Sequence, residues 1–212
     1  MQKASALHRS CRGCAAPRRG HITRHARILH GLAVGRFIRQ FDSHQMMDHP
    51  VPDKDPYLPC DDTARTLAAH LLHSARHAAL AVTDTATLTP HISRVALLCT
   101  QAGAVFSLMS TLSAHTAALL QNPACAFMVG DPGPKGDPLT HPRLMVQATA
   151  CPIARIDPAH LGLRSMWLQH HPKTKLYIDF ADFRFVRLNP TAAVLNAGFG
   201  RAYRMAPADL LP

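Results

Sequence analysis

The feature that most constrains this chain is a succession of short apolar runs between Ala78 and Leu195, each cut off by Gly, Pro, Asn or Asp. Runs of that length between such residues read as β-strands separated by turns. The expected strands are Ala78 to Thr83, Ile92 to Thr100, Val105 to Met109, Ala124 to Val129, Leu144 to Ala150 with a prolongation to Ile153, Phe183 to Leu188, and Ala192 to Leu195. Gln101-Ala102-Gly103 is expected to close a hairpin. Three segments carry helical spacing instead. In the first, Leu67, Leu71, Leu72 and Ala75 recur on one face behind a possible Asp61 or Asp62 cap, predicting a helix over 62–75. Thr111 to Leu120 is the second, capped by Ser110 or Thr111 and stopped by Asn122-Pro123. Pro158 to His170 is the third. No βαβ repeat appears, which argues against a nucleotide-binding α/β sheet. The expected fold is α+β and mainly β: a closed or half-closed barrel of about six strands with flanking helices.

Charge divides the chain. Nine basic residues and no acid lie between Met1 and Phe41, whereas the residues from Met46 onward hold 14 basic and 12 acidic residues, a net of only +2. The overall +10 therefore belongs to the leader. Basic residues without interleaved aromatics or a reading motif do not make a nucleic-acid surface, so no nucleic-acid partner is expected. No apolar stretch approaches the roughly 20 residues that span a bilayer, so no membrane partner is expected either. Residues 1–45 have the Arg-rich, acid-free composition of a transit peptide; the preferred reading is that translation begins at Met46 or Met47. Residues 46–60 hold four prolines and read as an extended linker. The barrel domain is placed at 61–205 and a tail at 206–212.

Six cysteines show no disulfide-framework spacing, and Cys99, Cys125 and Cys151 sit in apolar runs, which suits a reducing cytoplasm. Cys11 and Cys14 form a lone C-x-x-C pair with no second pair at zinc spacing. His70, His73 and His77 fall near one helical face, but no acid shares it, so no metal site is assigned.

Two segments point to an anion. Arg94 lies on an otherwise apolar strand and needs a partner, which a phosphate, an acid or solvent can supply. Ser110-Thr111-Leu112-Ser113-Ala114-His115-Thr116 is a hydroxyl-rich strand-to-helix junction, where free N–H groups favour negative charge. Gly130 to Arg143 lacks the spacing of a phosphate-binding loop and reads as a surface loop, from which Thr140 and His141 could still reach a ligand.

The segments SARHAALAV (74–82), HISRVALL (91–98), LMSTLSAHTAALLQNP (108–123), GDPLTHPRLMVQATA (136–150), HPKTKLYIDFADFRFVRLNP (171–190) and NAGFGRAY (196–203) together resemble the pyridoxamine 5′-phosphate oxidase-related FMN-binding split-barrel family. Among its members the chain is most similar to the haem-utilisation, HugZ-like branch. The resemblance implies a six-stranded split β-barrel that forms a homodimer and holds FMN at the subunit interface. It maps the FMN phosphate grip onto Arg94, Val95, Ser110, Thr111, His115 and Thr116, and an approach to the flavin ring or ribityl chain onto Gln147. Ala114-His115 stands where the oxidase has an Arg-Lys pair, and the oxidase's C-terminal substrate motif is missing. No histidine follows His171, although haem-degrading members use one near the C-terminus as iron ligand; Tyr203 is the substitute the sequence offers. The implied function is an FMN-dependent oxidoreductase of a small-molecule substrate. Haem binding or degradation, and non-catalytic carriage of a flavin or tetrapyrrole, are the alternatives.

Overall fold

The structure is a computed structural model and describes residues 55–211. The expectations for the basic leader and the first part of the Pro-rich linker lie outside the described residues. The elements run α1 (Asp62–Ser74), β1 (His77–Thr83), β2 (Pro90–Ala96), β3 (Leu98–Cys99), β4 (Val105–Ser110), α2 (Ala114–Gln121), β5 (Ala124–Val129), β6 (Arg143–Pro152), α3 (Ala159–His170), β7 (Phe183–Asn196) and β8 (Ala202–Met205). Three 3₁₀ turns, Pro138–Thr140, Pro172–Leu176 and Pro207–Leu210, complete them.

All strand pairs are antiparallel, and the order is β2-β1-β5-β6-β7-β4-β3, with β8 added to β7. The two ends of this order, β2 and β3, are one stretch of chain separated only by Leu97. The sheet must therefore curl until its edges meet at that residue, which is the split-barrel form. The seam is held by Ser107, fully buried on β4, whose hydroxyl donates to the Ala96 carbonyl at 2.7 Å. Leu97 N–H turns away and donates to the Arg76 carbonyl.

Eight strands form where seven runs were read and a barrel of about six strands was expected. One expected strand, Ile92 to Thr100, is split at Leu97 into β2 and β3 because its two halves pair with different neighbours. Two others, 183–188 and 192–195, are instead halves of the 14-residue β7. Asn189-Pro190 looked like a break, but Pro190 sits where the β6–β7 register slips between Gln147 and Ala148. A bulge tolerates the missing N–H there. The short β8 was not anticipated at all.

Alternation sets the two faces. On β1, Ala78, Leu80 and Val82 point inward and the residues between them outward. The interior packs Leu80, Phe127, Val146, Leu188 and Leu195 against Ala64, Ala68 and Leu72 of α1. Asp61 caps α1, accepting the Ala64 N–H at 2.7 Å. A second cluster lies outside the barrel, where Leu163 and Trp167 of α3 cover Phe106, Leu108 and Phe185. The expected tail is not free: Leu210 is 2% exposed within the main core, and Asp209 accepts from Arg65 Nε at 2.9 Å. The folded unit therefore extends past 205 through the last turn. Among the described residues no helix is long and apolar enough to cross a membrane.

Candidate functional site: a strand-to-helix anion junction

β4 ends at Ser110, and the chain turns through Thr111 and Leu112 into α2. Asp182, just before β7, braces this turn twice. Its side chain accepts from Ser110 Oγ at 2.6 Å, and its carbonyl accepts from Thr111 N–H at 2.8 Å. Ser110 Oγ also accepts from Leu112 N–H. The Ser110 hydroxyl is thus occupied in shaping the turn, and Ser113, not Ser110 or Thr111, is the N-cap of α2.

That N-terminus is left open. Ser113 makes no side-chain cap hydrogen bond, and no acid occupies the first turn. The first amides of a helix have no carbonyl a turn earlier to receive them. They carry the positive end of the helix dipole, so an anion is favoured there. Thr116, in the first turn, is 2% exposed, and its hydroxyl has no hydrogen-bond partner. A buried hydroxyl left unpaired costs about 1–3 kcal/mol.

α2 lies against β1 and β2, which brings this terminus toward the strand that carries Arg94. Arg94 pairs in register with Ala79, which places it on the outer face of the barrel. It is exposed and has no hydrogen-bond or ion-pair partner among the described residues. His115 is half-buried, and burial, aided by the nearby charge of His91, holds its pKa below the ordinary imidazole value. His115 is accordingly neutral at pH 7 and can donate from one ring nitrogen and accept at the other.

The remaining expected site residues are dispersed. Val95 points into the core at 6% exposure, so only its backbone can face a ligand. Gln147 is exposed on β6; the register through Ala126 and Ala81 puts it on the same outer face as Arg94. It lies three strands from β2, about 14 Å at the usual strand spacing. Tyr203 is packed in the barrel core, so its ring is not presented as an iron ligand. Thr140 and His141 hold their own loop. His141 Nδ1 accepts from Gly133 N–H, its Nε2 faces the Lys135 carbonyl at 2.9 Å, and Thr140 Oγ1 donates to Asp137 O. His73 contacts the carbonyls of Ala69 and Thr100, while His77 faces Asp131 at 3.3 Å, so the histidines of that segment do not converge. Asp182 was missed because its contact with Ser110 spans 72 positions of sequence. Ser113 was legible as one more hydroxyl before the helix.

No protein-family model matches the chain. It is 31% identical over 115 residues to the chloroplastic non-canonical heme oxygenase HOZ of Arabidopsis thaliana, a match that covers 54% of this chain and 34% of that one. The chain thus spans about a third of the length of this curated relative. Among solved structures, a heme binding protein from Mycobacterium smegmatis aligns at 22% identity and TM-score 0.64, over 71% of this chain and 61% of that one. A Clostridium acetobutylicum protein of the pyridoxinephosphate oxidase family, related to general stress protein 26, aligns at 13% identity and TM-score 0.55, over 71% and 99%. These two structures show the fold. These likenesses are consistent with the pyridoxamine 5′-phosphate oxidase-related, HugZ-like family that the sequence resembles. The neighbours thus include one protein described as heme binding and one described as of the pyridoxinephosphate oxidase family.

Proposed function

We propose that this split-barrel protein binds FMN as a cytoplasmic homodimer and serves as an FMN-dependent oxidoreductase of a small-molecule substrate. The observation that carries the reading is the unpartnered, buried Thr116 hydroxyl at an uncapped helix N-terminus beside the strand of a free arginine. A phosphate monoester answers each of these: its oxygens accept from amides, a hydroxyl and a guanidinium together. Arg94, Thr116 and the first amides of α2 would hold the phosphate, with His115 donating as a neutral imidazole. The flavin, when bound, supplies the electron and hydride chemistry.

The homodimer is supported by the outer face of the sheet. Ala79, Ala81, Ala126, Met128, Met145 and Val194 follow one another across β1, β5, β6 and β7, and Met128 is 44% and Ile92 on β2 70% exposed. Small apolar side chains on a broad sheet face suit a second copy of the same face. Gln147 and Arg94 lie on that face, so a second subunit would enclose both. The absorbance spectrum of the protein as isolated, followed by titration with FMN, tests the reading. A flavin band and a saturable FMN isotherm are expected; a colourless protein that does not bind added FMN overturns it.

Haem binding is the second reading, favoured by the similarity to a relative named a heme oxygenase. Tyr203 does not serve it. His91, which is exposed, and the neutral His115 are the imidazoles nearest the junction. A saturable Soret shift on haemin titration would support this reading, and its absence would remove it.

A further inference from the structure

A small cavity is lined by none of the residues assigned to the α2 junction, although its Ala181 and Phe183 flank Asp182 and Phe183 pairs with Ser110. It has a volume of about 150 Å³ and is lined by Ile153, Ala154, Arg155, Ala181, Phe183 and Arg184. The Ile153 N–H donates to the Phe185 carbonyl at 2.8 Å, tying the end of β6 to β7 beside it. Arg184 stands opposite Met109 in the β4–β7 register, on the face that elsewhere carries the barrel core. Its Nε is buried and has no hydrogen-bond partner.

The surrounding carboxylates are already engaged. Asp179 is held by Arg164 through two bonds, at 2.8 and 2.6 Å. The Asp182 carboxylate accepts from Ser110. Arg155 donates only to carbonyls, those of Asp179, Phe180 and Phe183, and forms no ion pair among the described residues. Its bonds pin the segment 179–183 around the cavity without neutralising its charge. A buried guanidinium N–H without an acceptor is costly where the surroundings are dry. A guanidinium fork matches the paired oxygens of a carboxylate or phosphate.

We propose that this cavity is an oxyanion site, taking the phosphate or carboxylate of a small molecule on Arg184, with Arg155 contributing charge and walling the site. The volume admits such a group with little more than its nearest atoms.

Calorimetric titration of the full chain with inorganic phosphate, and separately with acetate, both at fixed ionic strength in chloride, tests the proposal. Saturable binding of phosphate alone assigns the site to phosphoryl groups, and of acetate alone to carboxylates; either supports it. Arg184→Gln should weaken that binding by about tenfold or more, the scale of a charge-assisted pair, and should do so equally in an Arg94→Gln background, where the α2 junction does not contribute. Arg184→Lys, which keeps the charge but loses the fork and the Nε donor, should also weaken it and serves if the glutamine variant does not fold. No saturable binding of either anion overturns the proposal. Binding that persists in both Arg184 variants in that background, or that is lost in Arg94→Gln alone, overturns it as well, the last by assigning the anion to the α2 junction. Failure of FMN binding leaves this result unaffected.

Discussion

Thr116→Val separates a binding role for the α2 junction from a merely structural one, because the two predict opposite signs. Threonine and valine differ by a hydroxyl in place of a methyl, and their helix propensities are close. The Thr116 side chain is buried, with its Oγ1 lacking a partner. Replacing that hydroxyl removes an unsatisfied polar group and leaves the packing volume nearly the same. An unpaired buried hydroxyl costs about 1–3 kcal/mol, and the gain on its removal is expected near the lower end, about 1 kcal/mol, because a water can fill part of the need. For a domain of this size about 1 kcal/mol corresponds to roughly 2–4 °C in melting temperature. Ligand-free Thr116→Val should therefore melt higher than the wild type.

FMN binding should move the other way. A hydrogen bond to a charged group contributes about 1.5–3 kcal/mol, so the valine variant should bind FMN about 10- to 150-fold more weakly. The assays are thermal unfolding without ligand, at one protein concentration because dimerisation shifts the midpoint, and FMN titration followed by flavin fluorescence. A variant that melts lower than the wild type would show that the hydroxyl is satisfied in solution. A variant that melts higher yet binds FMN unchanged would show that Thr116 does not face the phosphate. Either result refutes the reasoning.

Four further outcomes follow. Arg94→Gln should weaken FMN by about 10- to 150-fold, the value of a charge-assisted contact, with little change in melting temperature because Arg94 is exposed. Leu210→Ala should cost about 2–5 kcal/mol in urea unfolding, the usual range for a buried leucine, whereas a free tail would give a change near zero. Stability should fall as pH drops from 7 through the ordinary histidine value near 6.5: burial lowers the pKa of His115 and of His171 in the folded state, so the unfolded chain takes up protons first and the cost grows until the folded pKa is passed; His115→Asn should flatten this slope in a urea series against pH. Burial pushes the thiol of Cys99 up to about 12 and that of Cys125 to about 11; iodoacetamide at pH 8 followed by mass spectrometry should leave both unlabelled in the native protein and label both in guanidinium.

The strands were legible where one strand has one pair of neighbours. Ala124 to Val129 was read with the bounds it has, because its apolar run starts at Pro123 and stops at Gly130. The reading failed where tertiary structure sets the element. Nothing local to Ala96-Leu97-Leu98 tells that the chain leaves β1 and joins β4 there; only the closing of the sheet does. Nothing local to Asn189-Pro190-Thr191 tells that the proline sits at a bulge of β7 against β6 and does not end a strand. Pro207 to Leu210 reads as a tail, and its contacts, Leu210 in the core and Asp209 on Arg65, 144 positions away, are not local.

The site shows the same division one level up. Residue type alone marked Arg94 and the Ser110–Thr116 hydroxyls as anion-seeking, since an arginine on an apolar strand and an acid-free helix start are local facts. Which hydroxyl is available is not local. Asp182, brought in by β7, engages Ser110 and the Thr111 amide, and so removes from the ligand two groups that the sequence offered it. Beyond that brace, Ser113 stands uncapped at the start of α2 and the Thr116 hydroxyl has no partner. Asp182→Asn keeps the backbone carbonyl and an acceptor for Ser110 but weakens the bond, so its effect on FMN affinity should be indirect: about tenfold or less, with the loss partly recovered in Asp182→Glu if reach is preserved. A loss as large as that of Arg94→Gln would place Asp182 in contact with the ligand and not behind the turn.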